Sequence, residues 1–216
     1  MKPRVIVYNA ISLDGQTTGF PVDLGLFYGL AGRWHESVSL AGCDTLLSFP
    51  PEVPPETPAD LAPPPAVPGD DRSILAVPDS RGRLKRWHFL RAQPHWRDFV
   101  SLCTDRTPPE HLDYLRARGI HVLKAGTDHV DLARALEELA THFGAKVVRV
   151  DSGGVLNSVL LRAGLVDEVH VLVHPVLVGQ TKRRGFFEAT SGTVELIPTG
   201  VEQLDHGLVL LSYRVG

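Results

Sequence analysis

Hydrophobic positions along this chain alternate between short β-branched runs and stretches with helical spacing. Residues 4–9 (RVIVYN) predict a first strand, and residues 11–15 (ISLDG) a loop in which Asp14 and Gly15 carry turn chemistry. In residues 23–40, Leu24, Phe27, Leu30, Ala31, Trp34 and Val38 recur at three and four, predicting one helix. Residues 45–48 predict a short strand reached through Gly42. Further strands are predicted at 73–77, 99–103 and 121–123, and helices at 108–118, with Leu112 and Leu115 inward, and at 131–143. Gly119 and Gly144 follow the two helices as stops, because glycine enters the left-handed conformation cheaply.

Residues 146–179 organise the rest. They read as a buried strand (146–150), a turn Asp151-Ser152-Gly153-Gly154, a helix (155–163), a stop at Gly164, a strand (166–173), and a corner closed by Pro175 and Gly179. Val155, Leu156, Val159 and Leu160 give the helix its apolar spacing. A glycine pair between strand and helix lets an anionic group, usually a phosphate, approach the N–H groups and positive dipole end of the helix. Asp151 could then act on whatever lies beside that phosphate. The spacing is neither GxGxxG nor GxxxxGK[ST], so neither phosphate-binding fingerprint applies. Two last strands, 194–197 and 208–213, have no helix between them and predict an antiparallel edge. The expected fold is α/β, a three-layer α/β/α arrangement around a mostly parallel central sheet.

At 216 residues the chain suits one domain, residues 1–216. Residues 50–71 stand apart, with nine prolines and no helical period, and read as a surface excursion of extended, polyproline character: an insertion, a lid over a site or a partner-binding segment. A formal charge of −3 and no dense Lys/Arg face argue against a nucleic-acid partner. The basic runs at 81–86 and 182–184 are short enough to serve a small phosphorylated ligand or simply to be solvated. Cys43 and Cys103 have no partner motif, and no apolar run approaches the roughly 20 residues of a membrane span, so a cytoplasmic protein is expected. No HExxH or paired CxxC appears, and no metal site is expected; His170 and His174, sharing a strand face, read as a surface or interface pair.

Several motifs together resemble the RibD C-terminal reductase family, which has a dihydrofolate-reductase-like fold. They are Asn9-Ala10-Ile11-Ser12-Leu13-Asp14-Gly15, Asp151-Ser152-Gly153-Gly154-Val155-Leu156-Asn157, Gly164-Leu165-Val166-Asp167-Glu168-Val169 and the corner Pro175-Val176-Leu177-Val178-Gly179. Asp79-Ser80-Arg81-Gly82-Arg83-Leu84 is similar to the family segment after the mid-chain strand. The resemblance implies NADPH as cofactor, a homodimer, and a riboflavin-biosynthetic substrate. That substrate is a diaminopyrimidinone 5′-phosphate whose ribosylamino group is reduced to ribitylamino.

Carried over by position, Gly153, Gly154, Val155 and Leu156 would bracket the cofactor diphosphate. Gly42 and Thr45 match a cofactor segment, and Ser80, Arg81 and Arg83 would hold the adenosine 2′-phosphate. Asp14 and Asp151 are the catalytic candidates, with Asn9 and Ser12 as substrate contacts beside them. Three positions depart from the pattern: Gln16 stands for a common Lys or Arg, Ser152 separates the acid from the glycines, and Ser48-Phe49-Pro50 lacks an acidic residue. They leave room for a reductase of another imine, carbonyl or pterin-like compound, or for a non-catalytic protein that binds a partner through its proline-rich stretch. The H-x-E and P-C-x-x-C signature of a zinc deaminase is absent from the sequence.

Overall fold

The computed structural model describes residues 2–48, 52–62, 67–179, 185–188 and 192–216. The basic run at 182–184 and the departure at Phe49-Pro50 lie outside the described residues. Contacts divide the chain into two compact units, Met1–Pro3 with Ser37–Lys146, and Arg4–Glu36 with Val147–Gly216.

The first unit contains strands β2 (Val38–Leu40), β3 (Ser73–Pro78), β4 (Trp96–Cys103) and β5 (His121–Lys124) in the order β5-β4-β3-β2, all parallel. Its helices are α2 (Cys43–Ser48), α3 (Trp87–Arg91), α4 (Pro109–Arg116) and α5 (Leu132–Phe143). Leu75, Val77, Leu84, Trp87 and Leu115 form its core, each with essentially no exposed surface. The second unit contains β1 (Arg4–Ser12), α1 (Leu24–Ala31), β6 (Val147–Val150), α6 (Gly154–Arg162), β7 (Glu168–His174), β8 (Leu196–Gln203) and β9 (Val209–Val215). Its strand order is β6-β1-β7-β9-β8, parallel up to β7 and antiparallel from there to the edge. Tyr8 anchors its core, stacked on Phe27 at 4.4 Å and against the edge of Trp34 at 4.8 Å. The α/β class, the parallel strands and the antiparallel C-terminal edge are those expected from the hydrophobic pattern.

Three local expectations are corrected and one helix is added. The helix expected over 23–40 ends at Ala31, continues as a single tight turn at Gly32–Trp34, and reverses at His35 with φ of 48°. Gly29 and Gly32 weaken the helix, while Val38–Leu40 gain complete burial as a strand against β3. Residues 45–48, expected as a strand, belong to α2, where Cys43, Leu46 and Leu47 pack toward one side at helical spacing. The five-residue α3 lies in a stretch with no expected element and buries Trp87 and Leu90 three apart. Finally, His170 and His174 are buried rather than superficial. β7 is an inner strand, and Trp34 and Phe20 pack against the two imidazoles at 4.6 and 4.9 Å.

The proline-rich excursion is mostly exposed where it is described, with one short turn at Pro58–Asp60. It is nevertheless tethered. Arg118 pairs with Glu56, His88 Nε2 lies 2.8 Å from the Pro54 carbonyl, and Arg91 donates to the Asp60 carbonyl at 3.1 Å. Among the described residues no helix is long and apolar enough to cross a membrane, and no three His, Cys, Asp or Glu are grouped to hold a metal ion.

Candidate functional site

The carboxyl ends of parallel strands are where open α/β sheets place ligands, because loops and helix N-termini converge there. In the second unit β1, β6 and β7 run parallel, and their carboxyl ends deliver Asn9 to Ser12, Asp151 with Ser152, and His174 with Pro175. Asn9 Nδ2 donates to the Ser152 carbonyl at 2.9 Å. The fully buried Asn157, on the first turns of α6, donates to Asn9 Oδ1 at 3.2 Å and to the Phe186 carbonyl at 3.0 Å. The turn after β6 is therefore locked to the end of β1 by side-chain amides.

Asp151 sits in a charged network. Tyr28, on α1, donates its hydroxyl to Asp151 Oδ2 at 3.0 Å. Arg149, two residues earlier on β6 and almost fully buried, places Nη1 3.1 Å from the same oxygen and donates through Nη2 to Glu36 at 2.8 Å. The Nη1 approach is an ion-pair distance without hydrogen-bond alignment. Burial alone would lower the Arg149 pKa, but the Asp151 and Glu36 carboxylates outweigh it and the guanidinium stays charged. Removing one member of such a buried pair costs about 3–5 kcal/mol, because the other charge is stranded. Desolvation and the charge of Asp151 push the Tyr28 phenol up, which keeps it a donor.

Asp14 is engaged differently. It accepts from Ser12 Oγ at 2.6 Å, from the Val178 N–H at 3.1 Å and from the Gly179 N–H at 3.0 Å. These hydrogen bonds, the Ser12 hydroxyl first among them, lower its pKa to about 2. Through these bonds the carboxylate pins the Pro175–Gly179 corner to the loop after β1. Gln16 is 2% exposed and bridges in antiparallel fashion to Gly185, so it turns into this loop.

The two glycines at the start of α6 differ. A Cβ on Gly154 would fall 2.4 Å from the Gly185 carbonyl and 2.6 Å from Glu188 Cγ, so the chain's own residues 185–188 occupy that side. A Cβ on Gly153 meets nothing within 4 Å, and no side chain caps the helix there. Val155 is 62% exposed and Val159 partly so, while Asn157, Ser158 and Leu160 face inward.

In the first unit Asp79, 2% exposed, accepts from the N–H groups of Arg83 at 3.0 Å and Leu84 at 2.8 Å. This folds Ser80 to Arg83 into a tight turn at the end of β3. Gly82 completes the turn with φ of 65°, where a Cβ would strike the His111 ring at 2.6 Å. Thr107 Oγ1 donates to the Ser80 carbonyl at 3.0 Å. Arg81 is exposed, whereas Arg83 pairs with Asp44 at 2.8 Å. Gly42 precedes α2, accepting from the Leu46 N–H at 3.2 Å, and Thr45 lies on that helix one residue beyond Asp44.

Residues 3–210 match the RibD C-terminal domain. The chain belongs to that family. A 2,5-diamino-6-ribosylamino-4(3H)-pyrimidinone 5′-phosphate reductase from Methanothermobacter thermautotrophicus is 32% identical over 193 residues, which cover 83% of this chain and 81% of the relative. Acinetobacter baumannii RibD superposes with a TM-score of 0.70 at 21% identity over 100% of this chain, which spans only 58% of that longer protein. Enterococcus faecalis dihydrofolate reductase complexed with NADP(H) superposes with a TM-score of 0.51 at 11% identity, covering 99% and 96% of the two chains. At such identities the structures speak to the fold, which is dihydrofolate-reductase-like.

Within this RibD C-terminal domain, the structure gathers Asn9, Asp151, Ser152 and the helix start at Gly153 to Leu156 at one end of the second unit's parallel strands. Ser12 and Asp14 form a separate cluster with the corner at Gly179. Ser80, Arg81 and Arg83 share one turn of the first unit, and Gly42 and Thr45 flank the start of α2. Tyr28, Glu36 and Arg149 belong to none of the sequence motifs. Arg149 did leave a signal, a charge inside the apolar run Val147 to Val150, since a buried charge requires partners.

Proposed function

We propose that this protein is an NADPH-dependent reductase that converts the ribosylamino group of a diaminopyrimidinone 5′-phosphate to ribitylamino, acting as one RibD C-terminal domain. The observation that carries this reading is the 32% identity, over most of both chains, to a reductase named for that substrate. Each unit, taken by itself, carries a feature that suits one part of a dinucleotide. The open face at Gly153, beside a helix start without a side-chain cap, suits a diphosphate. The exposed Arg81, on a turn stiffened by Asp79 and Gly82, suits the adenosine 2′-phosphate, with Ser80 and Arg83 beside it. Gly42 and Thr45 are assigned to the cofactor with them.

When bound, NADPH would supply a hydride to the C1′ carbon of the opened, imine form of the sugar. The chain's part is to orient that carbon and to manage charge and protons around it. Asp151, held by Tyr28 and Arg149, is assigned to the substrate's polar groups at the end of β6. Asn9 and Ser152 set the height of that carboxylate through their hydrogen bond. Ser12 and Asp14 are assigned to shaping the loop that faces substrate rather than to proton transfer, because Asp14 is committed to three donors. Gln16, one of the positions that leave room for another substrate, is buried and does not line an open wall.

A cytoplasmic homodimer completes the proposal and is checked by sedimentation of the purified protein. The activity is tested by following NADPH oxidation with the ribosylaminopyrimidine phosphate, and with dihydrofolate as control. Turnover on the pyrimidine alone supports the assignment. NADPH binding without turnover moves the substrate elsewhere, and absence of NADPH binding favours the partner-binding alternative.

A further inference from the structure

We infer that Tyr28 and the buried Glu36–Arg149 pair are positioning residues that fix the Asp151 carboxylate for the reaction; this rests on the assignment of Asp151 above. A carboxylate that follows a four-residue strand and stands one residue before two glycines has little of its own to hold it in one rotamer. The structure supplies what is missing from two directions. Tyr28 reaches Asp151 Oδ2 from α1 at 3.0 Å, and Arg149 reaches the same oxygen from β6 at 3.1 Å. Both supports therefore converge on one oxygen of the carboxylate, Oδ2.

The arrangement is not explained by stability alone. Arg149 already has a carboxylate partner in Glu36, and its Nε and Nη1 make no aligned hydrogen bond although buried. A purely structural arginine would be expected to spend those donors on backbone carbonyls. Instead its inner edge is turned toward Asp151, where a charge at close range orients a carboxylate without needing a tight bond. The Tyr28 ring also lies over this group, 5.5 Å from the Arg149 guanidinium. The three side chains thus form one support around a single carboxylate.

The test is a double-variant cycle on the full chain, read as kcat and KM for the ribosylaminopyrimidine phosphate with saturating NADPH. Tyr28→Phe removes only a hydroxyl from a partly exposed ring and should leave the fold and NADPH affinity unchanged. It should lower kcat by on the order of 10-fold, the scale expected when a reacting group is displaced by a fraction of an ångström. Arg149→Lys should restore more of kcat than Arg149→Gln, and thermal denaturation of each identifies any variant that fails to fold. In an Asp151→Asn background the Tyr28→Phe loss should disappear, because both changes act on the same carboxylate. Additive losses, or an unchanged kcat in Tyr28→Phe while Asp151→Asn is impaired, would overturn the positioning role and leave the Asp151 assignment intact. Full turnover by Asp151→Asn would overturn that assignment and the positioning role with it.

Discussion

Two aspartates that look alike in the sequence have different surroundings, and that difference can be measured. Asp14 accepts from a hydroxyl and two backbone N–H groups, which lower its pKa to about 2. A folded-state pKa below the unfolded value gives stability that is present above the unfolded pKa and lost as pH falls through the folded one. Asp14→Asn should therefore be less stable than the parent near neutral pH, and the gap in Tm should close between roughly pH 4 and pH 2. A gap independent of pH would contradict the ionised hydrogen-bonding role. The arginines of the first unit separate in the same way. Arg81 and Arg83 are both exposed, but Arg83 is already paired with Asp44. Arg81→Ala should weaken NADPH binding by about 10-fold, the loss of one charge-assisted hydrogen bond, and leave NADH binding nearly unchanged. Equal weakening of both cofactors would detach Arg81 from the 2′-phosphate.

At the scale of elements, the strand–glycine–helix unit built from β6 and α6 was legible because strand, turn and helix each carry local signals. The Val147 to Val150 run, the glycine pair and the left-handed Gly164, with φ of 65°, lie where the pattern put them. What could not be read was which side of α6 would be buried. Of the apolar positions Val155, Leu156, Val159 and Leu160, Leu160 is buried but Val155 and Val159 are exposed, and the buried side also carries Asn157 and Ser158, whose polar groups bond to residues 186 and 188. Distant chain segments decide that choice, and spacing contains no information about them. The same limit hid the end of α1 and the strand Val38–Leu40, which exists because β3 offers it a parallel partner. The unequal glycines give a prediction at this scale. Gly154→Ala should disrupt residues 185–188 and lower Tm, since its Cβ would fall 2.4 Å from a backbone carbonyl. Gly153→Ala should fold normally but bind NADPH more weakly, by narrowing the approach to the helix N-terminus. Normal NADPH affinity in folded Gly153→Ala would take the diphosphate away from α6.

For the whole molecule, the class of fold followed from the order of strands and helices, and the family resemblance from motifs dispersed between Asn9 and Gly179, inside the 3–210 that match the family. The charged network around Asp151 was not legible, because its members come from residues 28, 36, 149 and 151 and meet only in the folded chain. The central claim is that these parts make a pyrimidine reductase. The most direct measurement is the rate of NADPH oxidation by the purified protein offered 2,5-diamino-6-ribosylamino-4(3H)-pyrimidinone 5′-phosphate, with the product identified by mass. The account predicts steady turnover and a product two hydrogens heavier, carrying the ribityl side chain. Tight NADPH binding with no turnover of this substrate would contradict it.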